Sequence, residues 1–135
     1  MKYICLGYMD EKIFESFSES ERNNFVDKCF AYDEELKKTG HYIGGEALQP
    51  GINAVILRIQ NGKVSVTDGP YAETKEQIGG IMILEVDDLN HAIQLMSKHP
   101  SLVLSKGGGS WEIRPAADLT AMLETSEQRR SAAKK

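Results

Sequence analysis

No stretch of this 135-residue chain approaches the roughly 18–20 consecutive apolar residues that a helix needs to cross a bilayer. The N-terminus, Met1-Lys2-Tyr3-Ile4-Cys5-Leu6-Gly7, has one lysine followed by strand-like alternation. It lacks the apolar core and small-residue cleavage site of a secretory signal. A cytoplasmic protein without membrane contact is therefore expected. Basic charge is not in excess either: 16 Lys and Arg against 20 Asp and Glu leave a formal net charge of -4. Nucleic-acid binding needs a basic stripe that neutralises phosphates, so no nucleic-acid partner is expected. There are only two cysteines, Cys5 and Cys29, and they form no C-x-x-C pair. Reduced, buried thiols acting as small hydrophobes are the expectation. His41, His91 and His99 share no ligand spacing with one another or with the cysteines, so neither a metal site nor a cofactor is expected.

What is present describes one mixed α and β domain. The chain is long enough for a single shared core, and its 41% hydrophobic and 27% charged residues are ordinary for a globular protein. Residues 2–9 alternate with apolar groups on both faces, as in a strand from the middle of a sheet. Ser18 with Glu21 three positions on is a capping box, and it opens a helix whose stripe runs Phe25, Cys29, Tyr32, Leu36, widened by Val26 and Phe30. Gly40 is its expected stop. A short strand over 41–48 contains Gly44-Gly45. Residues 53–60 and 64–67 read as strands joined by Asn61-Gly62, the turn pair that accepts positive φ at both positions. Apolar residues 81–86 form another strand, Asp87 or Asp88 caps a second helix closed by His99-Pro100, and a last strand carries Trp111 and Ile113.

The order is β-α-β-β-β-β-α-β. Taken with an inserted β-hairpin strand, it matches the ferredoxin-like β-α-β-β-α-β arrangement, an α+β fold with an antiparallel sheet and two helices on one face. The domain is placed at 1–118, with 119–135 as an extension lacking regular structure at its end. The second sheet face also carries apolar residues (Ile4, Leu6, Ile56 and the 81–86 strand), which would leave a large sticky patch on a monomer. A homodimer packed through that open face is expected.

The densest polar cluster is the 67–77 loop. Asp68 and Glu73 are candidate catalytic acids, Lys75 a candidate anchor for an anionic ligand, and Tyr71 a further ligand contact. The same residues also make a turn, with Asp68 bonding its own backbone, Gly69 supplying unusual φ and Pro70 fixing the bend. Glu46 sits beside the Gly44-Gly45 gap, where backbone can approach a ligand or form a bulge. Arg58 and Arg114 can clamp an anion or pair with Glu46 or Glu112, and His41 is a candidate base.

Gly44-Gly45-Glu46-Ala47-Leu48, the Asp68-Gly69-Pro70-Tyr71-Ala72-Glu73-Thr74-Lys75-Glu76 run, Gly79-Gly80 and Glu112-Ile113-Arg114-Pro115 together resemble the DGPF group of YCII-related proteins, in the right order over residues 1–115. The resemblance implies a ferredoxin-like fold in the dimeric α/β-barrel superfamily and a bacterial origin. It also implies a regulatory connection to an extracytoplasmic-function sigma factor. The wider family suggests a histidine–aspartate dyad on the first helix. Counted back from Gly40, those positions fall near Cys29 and Lys38, and this helix has no histidine. That dyad does not carry over, and chemistry is expected at the 68–76 loop instead. The resulting expectation is a small-molecule binder with a cleft near that loop and acid/base chemistry as an option. The alternative is a non-catalytic regulatory or protein-interaction module.

Overall fold

A computed structural model describes residues 1–71 and 75–134. The strand expected to be central, β1 (Lys2–Asp10), lies between β5 (Glu76–Glu85) and β6 (Gly109–Pro115), antiparallel to both. β2 (Tyr42–Ala47) pairs with the far edge of β5, so the sheet order is β2-β5-β1-β6. This is the ferredoxin-like order. The remaining strands, β3 (Val55–Gln60) and β4 (Lys63–Asp68), pair only with each other. The insertion is thus a complete two-stranded hairpin rather than a single added strand. Its turn has φ of 52° at Asn61 and 77° at Gly62, the geometry that this residue pair tolerates.

The short α1 (Glu11–Glu15) and the long α2 (Glu19–Lys38) follow β1. The capping box at the start of α2 is formed: the Glu21 N–H donates to Ser18 Oγ (3.1 Å) and the Ser18 N–H to Glu21 Oε1 (3.0 Å). Phe25 and Leu36 are buried, whereas Val26 and Phe30 stand in solvent at 40% and 65% exposure, so the buried stripe is narrower than the sequence suggests. α3 (Leu89–Ser97) is capped by Asp88, which accepts from the His91 N–H. His99 then caps the single turn α4 (Pro100–Val103), with Pro100 at the first helical position where its missing N–H costs nothing. The core joins Tyr3 and Cys5 of β1, Met82 and Leu84 of β5, Leu36 of α2, and Ala92 and Met96 of α3.

Residues 119–133, expected to lack structure toward their end, form α5 (Leu119–Ala133), capped by Asp118. No residue of α5 is buried, consistent with its weak apolar periodicity. On the sheet face away from the helices, Ile4 sits opposite Ile83 and Leu6 opposite Ile81, all half-buried.

Candidate functional site

A cavity of about 390 Å³ opens between α2 and the end of the sheet. That is large enough for a compact organic molecule. Its floor is backbone-rich, because Gly7, Gly45, Gly79 and Gly80 lie where strands β1, β2 and β5 meet. A methyl group on Gly7 would come within 3.0 Å of the Trp111 ring, and one on Gly45 would collide with the Tyr42 hydroxyl. These glycines let two aromatic side chains lie flat against the sheet and line the space. Met9 and Met82 add apolar surface, and Phe30 of α2 stands at its edge.

One polar chain crosses this apolar setting. His99 is 3% exposed, and its Nε2 lies 2.8 Å from Asp33 Oδ1 on α2. The Ser101 N–H donates to His99 Nδ1 at 3.1 Å, which makes that nitrogen an acceptor and leaves the ring proton on Nε2, facing the carboxylate. Ser101 Oγ is 2.7 Å from the same Nδ1 and accepts the Trp111 indole N–H at 2.8 Å, so its own hydrogen points to the imidazole. The rings of Tyr32 and Trp111 pack edge-on against His99, each with its centroid 5.3 Å away. Three elements, α2, α4 and β6, therefore hold one imidazole in one tautomer and one orientation. Asp33 also lines the cavity, and it keeps 22% of its side chain exposed.

Neighbouring groups are held in their neutral forms. Burial, and then the charge of Asp33, pushes the Cys29 thiol up to about 12, so it is not a nucleophile near neutral pH. The Tyr42 phenol is also raised, first by burial and then by Asp33 and Glu46.

Of the residues singled out in the sequence, Glu46 lines this cavity beside Gly45. The others that the structure describes do not line it. Arg58 lies over the Tyr71 ring, 5.0 Å from its centroid, and Tyr71 faces a second groove at the base of the hairpin with Leu48, Pro50 and Ile78. Lys75 approaches Asp10 at 3.7 Å, and Arg114 pairs with Glu112 at 3.1 Å. Asp68 ends β4 opposite Val55, and Glu73 lies outside the described residues. His41 sits at the opposite end of the sheet, its Nδ1 3.1 Å from the Glu85 carbonyl and its ring against His91. Asp33, His99, Ser101 and Trp111 are the residues that sequence reasoning missed. One signal was present: Asp33 follows Phe25 and Cys29 at four-residue steps and precedes Leu36 by three, so a carboxylate stands on the buried stripe of α2. Among the described residues, no group of three or more His, Cys, Asp or Glu is placed to hold a metal ion, and no helix is long and apolar enough to cross a membrane.

The family model of the YCII-related domain matches residues 1–120. An uncharacterised protein of Rhizobium meliloti (strain 1021) is 31% identical over 121 residues, which cover 87% of this chain and 93% of that one. Among solved structures, the 5-chloro-2-hydroxyhydroquinone dehydrochlorinase of Burkholderia phenoliruptrix AC1100, in complex with 2,5-dihydroxybenzoquinone, aligns with a TM-score of 0.48 at 13% identity. The alignment covers 87% of this chain and 94% of that one.

Proposed function

The chain belongs to the YCII-related family, and from that premise and the geometry of the cavity we propose that it is an acid/base catalyst acting on a small molecule held between α2 and the sheet. Asp33 takes and returns the proton. His99 is a positioning residue: its Nε2–H holds one carboxylate oxygen so that the other faces the ligand. Ser101 and Trp111 keep the imidazole from turning. The observation that supports this reading is the placement of a fully hydrogen-bonded Asp33–His99–Ser101–Trp111 chain in a cavity otherwise lined by glycines, methionines and aromatic rings. Buried polar chains of this kind cost desolvation, and functional sites are where folds concentrate them.

The test begins with a metabolite screen by thermal shift, since a ligand of the folded state raises the melting temperature by mass action. Each hit is then incubated with the protein in D2O, and its C–H signals are followed by proton NMR. Deuterium wash-in that stops in Asp33→Asn supports the assignment. Hits that bind in the cavity yet exchange no proton faster than in buffer would sink it.

A second reading has its own observation. One face of the hairpin exposes Val55, Leu57, Ile59, Val64 and Val66, each at 64–69%. Such a patch suits a non-catalytic interaction module of the DGPF group, working in the cytoplasm with an extracytoplasmic-function sigma factor. Co-purification of the sigma factor, lost when Leu57 and Val66 become serine, would favour it over catalysis. With either reading we place a homodimer on the open sheet face, supported by the half-buried Ile4, Leu6, Ile81 and Ile83. A monomer mass by light scattering at micromolar concentration contradicts that placement.

A further inference from the structure

Proton removal by Asp33, the reading on which this step rests, leaves an electron pair on the ligand that the cavity must stabilise. A hydrogen-bond donor does so best when it is already in place and unspent. Among the described residues that line the cavity, most polar side chains are committed. His99 gives its ring proton to Asp33, Ser101 gives its hydroxyl to His99, and the Trp111 indole N–H goes to Ser101. Tyr8, Ser110 and Glu46 belong to the far face of the sheet by register. Tyr8 follows Ile4 and Leu6 in alternation and pairs with Ser110, and Glu46 pairs with Ile81. On that face the Tyr8 hydroxyl lies 3.4 Å from Glu112 Oε1. The Cys29 thiol is a weak donor.

Tyr42 is different. It pairs with the buried Leu84, which puts it on the helix face. Lys37 Nζ lies over its ring, 4.8 Å from the centroid, and Asp33 stands one turn earlier on the same face of α2. The Tyr42 hydroxyl reaches along β2 to Gly45, where a methyl group would collide with it. The chain reverses at Gly40, so the step from Tyr42 to Gly45 runs back along α2, from Lys37 toward Asp33. Tyr42 and Asp33 both line the cavity, and the phenol donates to no protein group among the described residues. Held above its ordinary value by burial first and then by nearby carboxylates, it keeps its proton at neutral pH. No lysine or arginine among the described residues lines the space. A neutral donor facing a carboxylate suits a ligand oxygen that is neutral when bound and turns negative as a proton leaves. A carbonyl oxygen has that property.

We propose that the Tyr42 hydroxyl donates to the carbonyl oxygen of the substrate, a compact ketone whose neighbouring C–H Asp33 deprotonates. Asp33 takes the proton, the C–H electron pair forms a carbon–carbon double bond, and the carbonyl π pair moves onto oxygen. There the Tyr42 O–H stabilises it without giving up its own proton, and return of the proton from Asp33 reverses the flow. The full-length protein is titrated calorimetrically with 2-indanone and with indane, which share a bicyclic body and differ in the carbonyl oxygen. Shifts of the indole 15N–H resonance of Trp111, the chain's sole tryptophan, place each probe in the cavity. The ketone is expected to bind about three- to tenfold tighter than the hydrocarbon, as one neutral hydrogen bond allows. In Tyr42→Phe the two affinities should meet at the indane value with the melting temperature unchanged, because the hydroxyl has no protein partner among the described residues. Exchange of the 2-indanone CH2 protons in D2O, followed by proton NMR, should outpace buffer in wild type and fall about a hundredfold in Tyr42→Phe. No ketone preference in wild type, no shift of the Trp111 resonance with millimolar 2-indanone, or a preference that survives in Tyr42→Phe each overturns the proposal. Exchange that stops in Asp33→Asn but persists in Tyr42→Phe removes only the role of Tyr42. A Tyr42-dependent preference without exchange above buffer in wild type removes the acid/base reading instead.

Discussion

Replacing Asp33 by alanine and by asparagine separates what the carboxylate does for the fold from what it does for chemistry. His99 Nε2–H is 2.8 Å from Asp33 Oδ1, and His99 is 3% exposed, so water cannot easily take the place of a deleted partner. Leaving a buried donor unsatisfied costs about 1–3 kcal/mol. For a chain of this length, about 3–4 °C of melting temperature accompanies each kcal/mol. Asp33→Ala is therefore expected to lower the melting temperature by about 3–12 °C. Asparagine keeps an oxygen that accepts from Nε2–H and loses only the charge-assisted part of the bond, so a loss below about 1 kcal/mol is expected. Thermal unfolding by circular dichroism measures both variants. An alanine variant within 1 °C of wild type would refute the buried-donor argument. Equal losses in the two variants would show that charge, not hydrogen bonding, holds His99.

Trp111→Phe removes the indole N–H from Ser101 Oγ while keeping an aromatic ring against Gly7. A loss of about 1 kcal/mol is expected by denaturant titration. Gly7→Ala places a methyl 3.0 Å from the Trp111 ring, so the ring must shift. A loss of about 1–3 kcal/mol with a changed tryptophan emission maximum is expected. Burial pushes the Cys5 thiol up to about 11 and Cys29 up to about 12, both above an unfolded thiol. The folded state then holds these protons longer than the unfolded one, so their contribution is complete below the unfolded thiol value and is lost as pH rises through 9–12. Melting temperature should fall over that alkaline window, and less so in Cys29→Ala. Iodoacetamide at pH 8 should label neither cysteine until denaturant is added.

Much of the fold was legible because its signals are local. The Ser18–Glu21 box, the Asn61–Gly62 turn and the two-faced apolar strand at 2–9 each depend on neighbours within a few residues, and each is found where its spacing puts it. The strand order followed from those elements. What failed at this level was periodicity read too broadly: Phe30 shares the hydrophobic character of the α2 stripe but points past its edge to the cavity. Likewise, the weakly patterned 119–133 stretch is helical without burying any residue.

The candidate site was a different matter. The sequence by itself determined that the long helix has no histidine, and that a dyad within that helix is therefore impossible. It also supplied a carboxylate on that helix's buried stripe and a histidine, proline and serine together at 99–101. Only the tertiary structure decided that these belong to one another. Asp33 and His99 are 66 positions apart, and they meet because the β1-centred sheet lays α2 and the α3–α4 turn side by side on one face. The 68–76 loop, dense in polar residues, stood out in a linear reading because its groups are adjacent in the chain. A hydrogen bond at 2.8 Å depends instead on adjacency in space, which packing creates.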